Sequence, residues 1–272
     1  MQEIYNRIKN VLIKYKCKQV LIHSDVLFGF KLPFETHDQF LESHYLCLLS
    51  LFEDIDIWMP AFNYDFCKGL SFNVKSSPSQ VGNLSEYFRK NKCSWRSEVP
   101  VFSFAGIGEK PNFPERAEID PFGQESLFAS LHEKDALLIH YGSGFHSTTL
   151  IHYIERISNK LPYRYDKYFK GEVIEDNNKK KIVSLKYHVR PLGYPLDYDW
   201  VRLEQELISA GILLKYKEGR TIILMCKIRE LVDYWLEKIY ENPLYLLTEE
   251  TATWVKLKLV KLNRSFLITD FE

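Results

Sequence analysis

Residues 135–157 constrain this chain more than any other stretch: Asp-Ala-Leu-Leu-Ile-His-Tyr-Gly-Ser-Gly-Phe-His-Ser-Thr-Thr-Leu-Ile-His-Tyr-Ile-Glu-Arg-Ile. The apolar run from Ala136 to Ile139 reads as a buried strand, Gly142-Ser143-Gly144 as a tight turn, and the segment after the turn as a helix by its spacing. Ser147 or Thr148 is placed to cap that helix, because a hydroxyl oxygen accepts the N–H groups that a first turn leaves without partners. His152 and Glu155 then project from one helical face. A buried strand running into a glycine turn and a helix start is how open α/β sheets build ligand sites at their carboxyl edge.

The rest of the chain supports such a sheet. Apolar side chains recur with a helical period over 2–16 and 37–53, while 19–25 and 55–60 read as short buried strands. The second strand leads into an aromatic loop, 61–69. Turn residues dominate 76–82, followed by a short helix over 84–90, a loop over 95–100 and a strand over 101–104. A proline-rich surface segment, 111–122, precedes a short helix over 124–132. Beyond Ile157 the pattern turns to hairpins, 169–175 with 181–189 and 213–216 with 221–225, around a helix over 199–210. A helix over 228–241 stops before Pro243, and the alternation of 253–269 reads as an edge strand. This order predicts an α/β fold: one domain with a central mixed sheet flanked by helices and an antiparallel carboxyl-terminal extension.

Composition narrows the function classes. Apolar residues make up 46% of the 272, enough for a full core. Lysine plus arginine equals aspartate plus glutamate, 36 each, which argues against a nucleic-acid partner and gives no acidic surplus for a polycation. The five cysteines are scattered and form no Cys-x-x-Cys pair, so neither a zinc ribbon nor a disulfide framework is indicated. With a polar amino terminus and no apolar run near 18 residues, a soluble cytoplasmic protein without a membrane partner is expected.

Among chemistry-bearing residues, His152 with Glu155 leads. Imidazole is the usual proton acceptor at neutral pH, and a neighbouring carboxylate orients the ring and stabilises its cation. A metal site would need a third ligand; His140 and His146 lie on the strand and turn, and no His-Glu-x-x-His pattern occurs. Cys67 sits in a loop beside Lys68, which would lower its pKa, though a small buried residue is the commoner role. Gly142-Ser143-Gly144 is not a nucleophile elbow, and no glycine-rich phosphate motif follows the first strand.

Several separated strings, in order, resemble the aminoglycoside 3-N-acetyltransferase (antibiotic N-acetyltransferase) family. They are Val20-Leu-Ile-His-Ser24, Met59-Pro-Ala-Phe62, Pro78-Ser-Gln-Val-Gly82, Leu84-Ser-Glu-Tyr-Phe-Arg89, Arg96-Ser97 with Ser103, Asp120-Pro-Phe-Gly-Gln-Glu-Ser126, and Leu137–Gly142 running into Thr148-Thr-Leu-Ile-His-Tyr-Ile-Glu155. The resemblance covers about residues 1–160 and continues weakly through Leu231-Val-Asp-Tyr-Trp235. It implies an acyl-coenzyme-A-dependent N-acyltransferase without a metal, its donor-binding and catalytic part at 1–160 and a variable acceptor-binding part at 161–272. It places His152 as general base, Glu155 as its companion, and Thr148 and Thr149 at the thioester end. His23, Ser24, Asp25, Arg96, Ser97, Ser103 and Ser126 fall where the family holds the pantetheine and phosphates of coenzyme A. The partners are then small-molecule substrates, and the sequence allows a homodimer.

Departures from the family pattern bear on the acceptor. Val99-Pro-Val-Phe-Ser103 lacks both histidines of the family's His-Pro-x-His-Ser, and Ser126-Leu127 replaces Ser-Pro. The neutral balance and an aromatic loop holding only Asp65, close to Lys68, suit an amino sugar that carries its own negative charge. The expected acceptor is therefore a nucleotide-linked (dTDP- or UDP-) amino-deoxy sugar of the kind used for surface polysaccharide. Phe62, Tyr64 and Trp95 would stack the base, with Lys68 or Arg89 meeting the diphosphate. The alternative is aminoglycoside 3-N-acetylation, conferring antibiotic resistance.

Overall fold

The strand at the head of residues 135–157 lies in the middle of the molecule. In the computed structural model, which describes residues 2–27, 30, 36–113, 116–191, 193–194 and 196–272, the chain begins α1 (Gln2–Tyr15), β1 (Gln19–Ser24), α2 (His37–Leu49), β2 (Asp56–Pro60), β3 (Phe72–Asn73) and α3 (Asn83–Asn91). It continues β4 (Trp95–Arg96), β5 (Phe104–Ile107), β6 (Glu118–Ile119), α4 (Leu127–Glu133), β7 (Leu137–Tyr141), α5 (Leu150–Ser158), β8 (Tyr165–Ile174) and β9 (Lys180–Val189). It ends α6 (Trp200–Ser209), β10 (Leu214–Glu218), β11 (Thr221–Lys227), α7 (Ile228–Glu241) and α8 (Glu249–Leu262). Among the described residues no helix is long and apolar enough to cross a membrane.

Seven strands form a mixed sheet in the order β10-β11-β7-β1-β2-β5-β4. The three inner strands, β7, β1 and β2, run parallel and are almost wholly buried, which is why they read as continuous apolar runs rather than alternating ones. β11 and β5 flank them antiparallel. Helices cover both faces, over one core containing Leu21, Trp58 and Leu138 and a second containing Val20, Ile22 and Ile139. A second sheet, β3-β8-β9-β6, is dominated by the long β8–β9 hairpin. The carboxyl-terminal third thus supplies two strands of the central sheet, β10 and β11.

Three expectations are corrected. Residues 253–269 do not form an edge strand: 249–262 are α8. Thr248 caps it by accepting from the Thr251 N–H, Glu249 and Glu250 sit in its first turn, and Asn263 ends it in the left-handed conformation. The strand expected over 101–104 begins only at Phe104. Val101 has φ +67°, and the Phe102 N–H bonds back to the Pro100 carbonyl at 2.8 Å, a tight three-residue turn that a strand cannot contain. Within the proline-rich segment Glu118–Ile119 pairs with β9; Pro114 and Glu115 lie outside the described residues.

Candidate active site

The carboxyl ends of the three parallel strands converge on one cavity of about 530 Å³. β1 delivers His23, Ser24 and Asp25; β2 and the loop after it deliver Pro60, Phe62 and Tyr64; the turn after β7 delivers Ser143, Gly144 and His146 to Thr149, with His152 behind them. Gly82, Asn83 and Ser85 at the start of α3 complete the wall. Gly142 makes the convergence possible. It has φ +78°, and a Cβ there would stand 2.2 Å from the Asp25 carbonyl oxygen, so only glycine lets the end of β1 pass beside the end of β7.

The hydroxyls expected to cap α5 are used elsewhere. A short 3₁₀ turn, Phe145–Ser147, comes first, and α5 starts at Leu150 with Thr149 at its cap position and no side-chain cap bond. Ser147 Oγ donates to the Gly144 carbonyl at 2.9 Å, and Thr148 Oγ1 donates to the Phe145 carbonyl at 2.6 Å. Thr148 Oγ1 also lies 3.0 Å from Nε2 of His140, whose Nδ1 sits 3.2 Å from both Ser143 Oγ and Ser147 Oγ. His140, fully buried and stacked on His23 with ring centroids 5.3 Å apart, is thus the strut beneath this turn. Burial pushes the pKa of His140 down and that of His23 down to about 4, so both rings are neutral at neutral pH.

His152 stands where this cavity meets a second one of about 720 Å³. The second cavity is walled by Tyr64, Phe169, Tyr187, Tyr198 and Trp200, with Lys167, Arg190, Asp197 and Glu272 at its polar positions. Tyr64, His146, His152 and Trp200 belong to both. Lys167 pairs with Glu272, whereas among the described residues no cation pairs with Asp197.

Behind the ring, Nδ1 of His152 is 3.1 Å from Oε2 of Glu155, the contact predicted by their spacing in the sequence. Nε2 has no protein partner among the described residues, and a quarter of the side chain is solvent-accessible. Glu155 is completely buried. Its Oε2 lies 2.7 Å from Nε of Arg164 and accepts from the Tyr198 hydroxyl at 2.8 Å; its Oε1 accepts from Tyr163 at 3.1 Å. Burial alone would push this carboxyl up, but Arg164, His152 and Tyr198 outweigh it and hold it ionised. Burial lowers the His152 pKa and Arg164 adds to that, against the opposing pull of Glu155.

Of the residues expected to hold substrates, His23, Ser24, Asp25, Thr148, Thr149, Phe62 and Tyr64 line the cavity beside His152. The others do not reach it. Arg96 is buried and donates to the Val74, Ser77 and Ala61 carbonyls and to Ser103 Oγ, which itself donates to Ala61: a pin joining three loops, with its donors consumed inside the protein. Ser97 Oγ accepts from the Phe104 N–H, and Ser126 caps α4 through the Ala129 N–H. Trp95 packs edge-on to Trp58 and borders a separate cavity. Asp65 is spent on Lys68 and Gln80, and Arg89 on Glu86 and the Lys75 carbonyl, so neither cation is free for a diphosphate. Cys67 borders the second cavity, but burial pushes its thiol up to about 11 and Lys68 is turned to Asp65. Sequence reasoning misses Arg164, Tyr163 and Tyr198, because nothing local to them signals that they meet Glu155.

The sequence profile of the aminoglycoside 3-N-acetyltransferase family matches residues 53–239. No curated protein sequence matches the chain. Among solved structures, aminoglycoside acetyltransferase AAC(3)-IVa superposes with a TM-score of 0.63 at 20% identity, over 91% of this chain and 92% of that one. AAC-IIIb, solved with CoASH, gives 0.68 at 16%, over 86% and 96%. The YokD protein from Bacillus subtilis gives 0.63 at 17%, over 88% and 94%.

Proposed function

The chain belongs to the aminoglycoside 3-N-acetyltransferase family, and from that premise we propose that it moves the acetyl group of acetyl-coenzyme A to an amino group of an aminoglycoside, with His152 as the base. The observation that carries this reading is the position of His152 on the shared wall of two cavities, with Nε2 open and Nδ1 backed by Glu155. Two substrates approaching from opposite sides meet at one imidazole.

The first cavity suits the donor. His23 Nε2 and Ser24 Oγ are buried there without partners among the described residues, and a buried polar atom without a partner costs stability unless a ligand supplies one. His23, Ser24, Asp25 and Thr149 are the residues we assign to hold acyl-coenzyme A. When bound, it supplies a thioester carbonyl for the amine to attack and a thiol as leaving group. The amine must shed a proton to attack productively; Nε2 of His152 accepts it, a step that contributes about 10²–10⁴-fold. Glu155 orients the ring from behind. The hydroxyl of Thr148 is committed to the Phe145 carbonyl, and the Ile151 and His152 N–H groups bond to the Thr148 and Thr149 carbonyls, so the N–H groups of Thr149 and Leu150, without acceptors among the described residues, are the better donors toward charge developing on the carbonyl oxygen.

The second cavity suits the acceptor. Its aromatic walls fit a sugar ring, and the carboxylate of Asp197, without a cation partner among the described residues, fits an ammonium group. The family's name and matched structures such as AAC(3)-IVa specify aminoglycosides, which supports this acceptor over the nucleotide-linked amino sugar expected from the neutral charge balance. The test is thiol release from acetyl-coenzyme A with kanamycin or gentamicin against nucleotide-linked amino sugars. Turnover with an aminoglycoside, reduced about 10²–10⁴-fold in His152→Ala, is expected. Turnover confined to nucleotide-linked sugars, or full activity in His152→Ala, overturns the reading.

A further inference from the structure

The buried group behind the base holds one more charge than a His–Glu pair needs. Arg164, only 6% exposed, places Nε 2.7 Å from Glu155 Oε2 and Nη2 3.2 Å from His152 Nδ1, while Nη1 is anchored on the His188 carbonyl at 2.8 Å. Tyr198 accepts from Nη2 and donates to Glu155, joining the two charged groups. We propose that Arg164 is a positioning residue for the His152 base, cancelling the charge of Glu155 so that the imidazole meets the amine neutral.

This role is electrostatic and rests on the assignment of His152 as base. A fully buried carboxylate alone behind an imidazole would hold a proton on the ring, because an ion pair in a low-dielectric site is worth far more than in water. A protonated ring cannot accept the proton of an amine. With the guanidinium touching both groups, the carboxylate still orients the ring through Nδ1, but its charge is already answered. The Tyr198 hydroxyl, neutral because burial pushes its pKa up, lies 3.3 Å from Nδ1; Arg190, His146, Tyr64, Lys167, Asp197 and Glu272 face the ring only across the second cavity, and Phe122 covers it with centroids 5.5 Å apart and adds no charge. The cancellation therefore falls to Arg164.

The test is the titration of His152, followed by NMR of its ring protons in the ligand-free protein and by the acid limb of kcat/KM for acetyl transfer. In Arg164→Met the ring can take up a proton and replace the lost cation, which gives the variant a route to stay folded. Both midpoints are expected to rise by about one to three pH units, the usual effect of changing one close charge, with activity recovered at alkaline pH. Arg164→Lys should restore most of the original midpoint, and the charge-neutral pair Glu155→Gln with Arg164→Met should bring it back down. An unchanged midpoint in Arg164→Met, or a loss of kcat equal at every pH, overturns the proposal. If Arg164→Met does not fold, the double variant decides, because a midpoint above that of the unmodified protein contradicts it. NMR titration needs no turnover, so a failure of the acetyl-transfer reading shows separately, as an unmodified protein inactive on every amine.

Discussion

Thr148 separates two accounts of the same turn. Its hydroxyl has one proton, and the structure places that proton against the Phe145 carbonyl at 2.6 Å, with His140 Nε2 at 3.0 Å on the other side. Replacement by valine keeps the shape and removes both contacts. His140 is fully buried, so the change strands an imidazole nitrogen, at about 1–3 kcal/mol, while the Phe145 carbonyl keeps the Thr148 N–H at 3.0 Å. For a domain of this size that is a fall in Tm of about 2–10 °C. Catalysis should suffer little, because a hydroxyl already donating inward has no proton for the thioester oxygen, and kcat should stay within about tenfold. Loss of a working oxyanion donor costs about 10²–10³ in kcat. The two accounts therefore differ in which quantity moves. Differential scanning fluorimetry and thiol-release kinetics on the same preparation read both. A 100-fold fall in kcat at an unchanged Tm would refute the reasoning.

Acid should destabilise the fold before carboxylate protonation contributes: burial lowers His23 and His44 from 6.5 to about 4, so the unfolded chain binds more protons and stability rises with pH across that window. A Tm that stays flat between pH 6.5 and 4 contradicts this. Cys67 should be a spectator, since its thiol is pushed up to about 11. Cys67→Ser should keep full turnover, and maleimide labelling at neutral pH should be slow; an acetylated Cys67 in a quenched reaction would instead reveal a covalent route.

Much of this architecture was legible because the patterns were long and unambiguous. The helix over 228–241 is observed with those bounds: a stripe of Ile228, Leu231, Val232, Trp235 and Ile239 admits one period only. The contact of His152 with Glu155 followed from helical spacing. α8 misled because Val255-Lys-Leu-Lys-Leu-Val alternates like a strand while its buried residues, Thr251 and Val255, lie four apart; Leu257 and Val260 are exposed, so hydrophobicity pointed the wrong way. Arg96, Ser97, Ser103 and Ser126 matched a family pattern, but their hydrogen bonds are spent on groups that only the folded chain brings near. Arg164 and Tyr198 were invisible for the converse reason. They reach Glu155 from the start of β8 and the loop before α6, and no local spacing records a meeting across that distance.

The shared wall between the cavities also bears on inhibition. Tyr64, His146, His152 and Trp200 line both spaces, so under the proposed function the donor's thiol end and the acceptor's amine approach the same four side chains. A single molecule joining the pantetheine arm to an amino sugar through a short bridge could occupy both spaces, passing the His152 ring on the way. Tethering of that kind converts the second binding event into an intramolecular one, and the gain depends on bridge length, being lost when the bridge cannot span the gap. The bridge that binds best would therefore serve as a molecular ruler for the distance between donor and acceptor.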